Sequence, residues 1–236
     1  MKKSHKLAIF FDLDDTLYNH LVPFRDAVRV VLNLDESVLN VADLFHRVRH
    51  HSDVLWPKYL QGELALEETR LMRMELAFAE YDMHLDRDTA ARVQAAYISR
   101  QYAIEMIEGV LPQLQRFISG GHTVGIITNG PEDHQMKKIR ALGVDKLIPS
   151  DRIFISDAVG IAKPDPEIFA YVNRRTETTA EQCLYVGDTW ANDVVGALEA
   201  GWKVCWYNPR GRQPLTAHEP SYTFTNYEEF KELPIL

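Results

Sequence analysis

The chain has 236 residues, 46% of them hydrophobic and 25% charged, with a formal net charge of −8. That is the balance of a globular protein, and it argues against a binder of nucleic-acid backbone, which needs a concentrated basic surface. Local cations around a small anionic partner remain compatible with it.

Met1-Lys2-Lys3-Ser4-His5-Lys6 is basic, and the apolar run after it stops at Asp12, too short for a signal-peptide core. No later run approaches transmembrane length. Cys183 and Cys205 each sit in or beside a predicted strand and read as small core residues in a reducing compartment. The expectation is a cytoplasmic protein with one large domain, or a core plus an insertion.

Leu7 to Phe11 reads as a buried strand that runs into Asp12, Asp14 and Asp15. Clustered carboxylates at a strand tip repel and must be desolvated, and a hard divalent cation relieves both costs. Two acids two residues apart also divide the work of catalysis, one attacking and the other carrying protons. The plain alternative is that acids follow a strand as turn formers.

After Leu17 the pattern turns helical. Segments over Phe24 to Leu34, Val38 to Val48, Trp56 to Leu60, Leu64 to Ala79 and Thr89 to Tyr102 are expected, with no β-rich run between them. Within this stretch His46-Arg47-Val48-Arg49-His50-His51 is the dense basic patch. A solvated helix face is the favoured reading of it, ahead of phosphate steering.

From Gly109 helix and strand alternate. Helices are expected over Leu111 to Ser119, Pro131 to Leu142, Asp165 to Arg175 and Asn192 to Ala200. Strands are expected over His122 to Thr128, Arg152 to Ser156, Cys183 to Val186 and Lys203 to Tyr207. Such alternation predicts a parallel sheet with helices on both faces. Asn208 to Pro220 reads as a surface loop and Asn226 to Leu233 as a short edge helix.

Ligands of such a sheet collect beyond the carboxyl ends of its strands, where three more polar clusters fall. Thr128-Asn129-Gly130 offers a hydroxyl and backbone N–H groups to phosphate oxygens, though it is also an ordinary turn. Lys163, between Gly160 and Pro164, can neutralise a phosphate as a point charge or stand as a solvent lysine ahead of a helix. Gly187-Asp188 follows an apolar strand, so Asp188 sits where a ligand would complete a metal site begun by Asp12. Asp193 suits either a helix start or a partner for the ion and Lys163.

Asp-x-Asp-x-Thr, a helical stretch, then Thr-Asn, Lys-Pro and Gly-Asp-x-x-x-x-Asp together resemble the haloacid dehalogenase superfamily of hydrolases. The resemblance implies an α/β, Rossmann-like parallel sheet core over residues 1–17 and 104–236. An all-helical cap over 18–103 would be inserted after the first strand. It implies Asp12 as the nucleophile that takes a phosphoryl group, and Asp14 as the acid that protonates the leaving oxygen and then activates water. Mg2+ would be held by Asp12, the backbone carbonyl of Asp14, and Asp188. Thr128, the Asn129 backbone and Lys163 would grip the phosphate. Asp193 would orient Lys163 and a water on the ion, and Thr16 would fix the nucleophile loop. Dehalogenases of the superfamily lack the second acid, so Asp14, Asp188 and Asp193 favour phosphate chemistry. Asp15 stands where many members carry glycine.

Leu55 to Gly62 with Arg70, Asp12 to Asn19, and Gly187 to Ala197 look like the branch containing pyrimidine 5'-nucleotidases. The expected substrate is therefore a small phosphorylated metabolite, with a nucleoside 5'-monophosphate leading. Trp56 or Tyr59 would suit stacking on a base, although aromatics on such helices are more often packing residues. Sugar-phosphate and phosphoglycolate-type phosphatases, a phosphomutase, and a silent binding protein on the same scaffold are the alternatives. No membrane or nucleic-acid polymer partner is expected.

Overall fold

The computed structural model describes residues 6–232. It divides into two compact units, one built from the chain before residue 20 and after residue 104, the other from residues 20–104.

The first unit is built on six parallel strands: β1 (Ala8–Phe11), β2 (Thr123–Thr128), β3 (Ile153–Ile155), β4 (Cys183–Gly187), β5 (Lys203–Tyr207) and β6 (Tyr222–Phe224), in the order β3-β2-β1-β4-β5-β6. β1 and β4 are buried along their whole length, as strands covered on both faces must be, which is why they read as unbroken apolar runs. β1 lies at the centre, Ala8 pairing with Thr123 on one side and Cys183 on the other. The order reverses direction between β1 and β4, the switch point at which open α/β sheets place their ligands. The core beneath includes Phe10, Phe169, Tyr185 and Trp202, whose rings meet at tilted or edge-on angles.

Gly125 in β2 makes room for this packing. A Cβ there would lie 2.3 Å from the Phe10 ring and 2.6 Å from the Arg152 carbonyl oxygen. Gly125→Ala is expected to cost about 1–3 kcal/mol by overpacking, read as a melting point lower by several degrees in thermal denaturation.

The second unit contains α1 (Leu21–Leu32), α2 (Val41–Leu60), α3 (Leu66–Ala79) and α4 (Arg87–Arg100), and no strand among its described residues. Phe24, Phe45, Phe78 and Tyr97 are buried in its own core. Trp56 to Leu60 proves to be the last turn of α2, which runs through Pro57. That proline cannot donate the i→i−4 bond to the Asp53 carbonyl, and the helix ends three residues after it. The basic patch lies on α2 and is partly neutralised. Glu80 takes Arg47 at 3.3 Å and His51 at 2.6 Å, and Arg49 lies 3.3 Å from the His20 ring.

The remaining helices belong to the first unit: α5 (Val110–Ser119), α6 (Glu132–Ala141), α7 (Ser156–Val159), α8 (Pro166–Thr176) and α9 (Gly196–Glu199). The sequence reading missed β6, whose three residues follow a long Pro- and Gly-rich loop and carry too little pattern to mark a strand. The helix expected over Asn192 to Ala200 is a π-turn over Trp190–Val195 that leads into α9. The expected terminal helix is a single 3₁₀ stretch, Glu229–Glu232, and Leu233 lies outside the described residues, as do Met1 to His5. No described helix is long and apolar enough to cross a membrane.

Candidate active site

β1 delivers Asp12 to the switch point, and its N–H donates to the Val186 carbonyl at 2.8 Å, so the residue is stitched to β4. The chain then turns sharply. Asp15 takes a left-handed φ of 61°, a conformation glycine prefers but aspartate tolerates. Its carboxylate accepts from Arg210 at 3.0 Å. Thr16 is fully buried, lies 3.4 Å from Asp12 Oδ2, and its carbonyl accepts from the Tyr227 hydroxyl at 2.8 Å. The loop is thus held from inside and from a distant part of the chain.

β4 delivers Asp188, whose carbonyl accepts from the Trp206 indole at 2.9 Å. Gly187 is required beside it, because a Cβ there would lie 2.5 Å from the Asp193 side chain. The π-turn brings Asp193 back beneath the strand end, where its Oδ2 accepts from the Thr189 N–H at 2.8 Å. Asp12, Asp188 and Asp193, all buried, each place an oxygen within 4.8 Å of the others. Burial pushes the Asp12 carboxyl up to about 7; Lys163 opposes that, while Asp193 and Asp14 add to it. Burial likewise holds Asp188 well above the usual carboxylate range, with Asp15, Asp193 and Asp12 reinforcing it and Arg212, 3.5 Å away, opposing. Oxygen-only donors whose charges are uphill without a counter-ion suit a hard divalent cation. The Asp14 carboxylate is not a member of this cluster.

Lys163 answers the acids. Its Nζ donates to Asp12 Oδ1 and Asp193 Oδ1, both at 2.7 Å, and to the Tyr185 hydroxyl at 2.8 Å. Burial alone would lower its pKa, but Asp12 and Asp193 hold it well above the usual lysine range. The Tyr185 hydroxyl donates its hydrogen bond to the Ile127 carbonyl at 2.7 Å, which leaves its oxygen as an acceptor for lysine. The Asn129 side chain grips the Lys163 backbone twice, accepting from its N–H at 3.0 Å and donating to its carbonyl at 2.8 Å. That amide therefore shapes the lysine loop.

Asp14 is turned toward α6. Lys138 Nζ donates to Asp14 Oδ1 at 2.7 Å and Oδ2 at 3.0 Å, Gln135 Nε2 donates to Oδ2 at 3.1 Å, and the Tyr18 hydroxyl donates to Oδ1. Gln135 Nε2 also donates to the Thr128 hydroxyl at 2.6 Å. Gln135 and Lys138 are 1% and 2% exposed, and sequence reasoning missed both. A signal was present. Gln135 and Lys138 share the helical stripe of Ile139 and Leu142, so two polar residues occupied a face that the periodicity assigned to the core.

The family model for haloacid dehalogenase-like hydrolases matches residues 7–201. The chain belongs to that family. Among its relatives, pyrimidine 5'-nucleotidase YjjG of Escherichia coli (strain K12) is 28% identical over 231 residues, which are 95% of this chain and 96% of that protein. Glyceraldehyde 3-phosphate phosphatase of Methanopyrus kandleri is 26% identical over 200 residues, covering 82% of this chain and 80% of that one. The magnesium-bound crystal structure of the HAD-hydrolase YfnB from Bacillus subtilis has a TM-score of 0.75 at 24% identity, over 98% of this chain and all of that one. It shares the fold of this hydrolase.

Proposed function

We propose that this hydrolase is a Mg2+-dependent phosphatase of small phosphate monoesters, working through an aspartyl-phosphate. The observation that carries the reading is Asp12: a buried carboxylate at the switch point, 2.7 Å from Lys163 and two residues before a second acid. Asp12, Asp188 and the Asp14 carbonyl would hold Mg2+, with Asp193 beside them. When bound, the ion would cancel charge on the phosphoryl oxygens, which otherwise repel an anionic nucleophile.

Asp12 Oδ attacks phosphorus as the bond to the leaving oxygen breaks, and Asp14 gives that oxygen its proton. Asp14 then takes a proton from water, whose oxygen bonds phosphorus and releases Asp12. Lys163 has its donors engaged before substrate arrives. As Asp12 attacks, its negative charge passes to the phosphoryl oxygens, and the Asp12 bond of Lys163 can follow it. Thr128 and the Asn129 backbone hold the same oxygens, and Asp193 keeps Lys163 in line. The family resemblance reads residues 18–103 as a cap, whose role would be to exclude water and select the leaving group.

A nucleoside 5'-monophosphate is the proposed substrate, supported by the likeness to YjjG over nearly the whole of both chains. Glyceraldehyde 3-phosphate phosphatase among the relatives supports a second reading, a phosphorylated sugar or triose. A cytoplasmic setting fits two cysteines that are free and buried.

The test is phosphate release from UMP, dUMP, dTMP, purine monophosphates, sugar phosphates and phosphoglycolate, with Mg2+ and with EDTA. EDTA-sensitive release peaking on pyrimidine monophosphates is the expected result. A peak on sugar phosphates would replace the substrate and keep the mechanism. Isomerised product without free phosphate would identify a mutase, and inactivity across the panel a silent binder.

A further inference from the structure

We propose that Lys138 and Gln135 are positioning residues for the acid–base carboxylate, and that Gln135 couples this carboxylate to the phosphate grip. The inference rests on the reading of Asp14 as proton carrier and deepens it.

A lysine ammonium 2% exposed is expensive to bury and is retained only against an opposite charge that it holds. Here that charge is Asp14, both of whose oxygens are taken, at 2.7 and 3.0 Å. A single Asp side chain has two soft torsions and would otherwise swing between the acids of β4 and the solvent. Lys138, rooted in the helix packed after β2, fixes the plane of that carboxylate.

Gln135 adds direction. Its NH₂ has two hydrogens, one for Asp14 Oδ2 at 3.1 Å and one for Thr128 Oγ1 at 2.6 Å. The reverse amide orientation would set its oxygen against a carboxylate, so the donor end must face Asp14. Thr128 therefore accepts from Gln135 and keeps its own hydrogen for another acceptor, the polarity a phosphate oxygen needs. One amide thus aligns the proton carrier and the phosphate donor together.

Lys138 and Gln135 hold Asp14 ionised at rest. In the first half-reaction it takes up a proton from solvent as the substrate binds and passes it to the leaving oxygen as the bond to phosphorus breaks and the Asp12–phosphorus bond forms. An alkoxide leaving group needs that proton, whereas p-nitrophenolate departs without it. The experiment compares kcat/KM for the best alkyl monoester of the panel with kcat/KM for p-nitrophenyl phosphate, in Mg2+, for Asp14→Asn, Lys138→Met, Lys138→Arg and Gln135→Met.

Asp14→Asn and Lys138→Met are expected to lose about 10²-fold on the alkyl ester and less than about tenfold on p-nitrophenyl phosphate. Lys138→Arg restores part of the alkyl activity. Gln135→Met shows the same selectivity at smaller size, together with weaker inhibition by orthophosphate. A purely structural role slows both substrates alike. Equal losses in Lys138→Met beside a selective Asp14→Asn would overturn the proposal and leave the proton-carrier reading standing. An unselective Asp14→Asn would bring down that reading itself. If Lys138→Met does not fold, Gln135→Met, a neutral replacement of similar length, decides by the same comparison.

Discussion

Asp12→Asn is expected to lower turnover by at least about 10⁴-fold, the scale seen when a covalent nucleophile is removed, while the protein melts no lower than its parent in EDTA. The two halves have separate causes. Asparagine keeps the shape of Asp12 but is a poor nucleophile, so no aspartyl-phosphate forms and the remaining groups bind without reacting. Stability moves the other way because burial raises the Asp12 carboxyl to about 7. A carboxyl that holds its proton more tightly folded than unfolded is a burden once ionised. It leaves the metal-free fold progressively less stable as pH rises from about 4 to about 7. The neutral amide escapes that penalty and leaves Lys163 its partner in Asp193. Phosphate release and melting curves at pH 8 check both statements. Retained turnover would remove Asp12 from the chemistry.

Lys163→Met is expected to damage both properties. Lys163 is 5% exposed and neutralises Asp12 and Asp193 at 2.7 Å each. Removing it leaves two buried carboxylates facing each other, and breaking a buried pair costs roughly 3–5 kcal/mol. Its pKa is raised in the fold, so its contribution is complete at neutral pH and is lost only as pH rises beyond the ordinary lysine range. A melting point lower by roughly 10 °C follows. Turnover should fall about 10²–10³-fold, the cost of losing one donor to a developing anion. Mg2+ should recover part of the melting point, since it restores positive charge to the acids, and little of the turnover. Melting with and without Mg2+, beside phosphate release, separates the two effects. Full recovery of turnover by Mg2+ would show that Lys163 serves only the fold.

The sequence was informative wherever chemistry interrupted an apolar strand. Asp12, Thr128 and Asp188 each stand at the end of a run that could only be buried, and the parallel alternation put those ends on one edge of the sheet. Lys163 and Asp193 lie on turns that follow, and they reach the cluster through contacts no local pattern encodes. Tyr185 shows the limit. It sits inside β4 as one more buried aromatic, and only the packing reveals that its hydroxyl seats Lys163. Lys138 and Gln135 were overlooked differently: charged and amide residues usually mark the wet face of an amphipathic helix, and only their place on the stripe of Ile139 and Leu142 pointed inward. The π-turn after Asp188 escaped because a wider turn leaves the same composition as an α-helix.

The central place of β1 has a consequence for synthesis on the ribosome. Ala8 to Phe11 is made before the other described strands of its sheet, yet its partners on either side, from Thr123 and from Cys183, follow about 115 and about 175 residues later. At ~5–20 residues per second the second edge waits roughly 10–35 s for a neighbour. Until β2 emerges a fully apolar strand has no sheet to enter, while the helical segment between residues 20 and 104 has its own core and can fold as it emerges. Asp12 is therefore translated long before Asp188, beside which it comes to lie. No truncated product that ends before β4 can carry the assembled site.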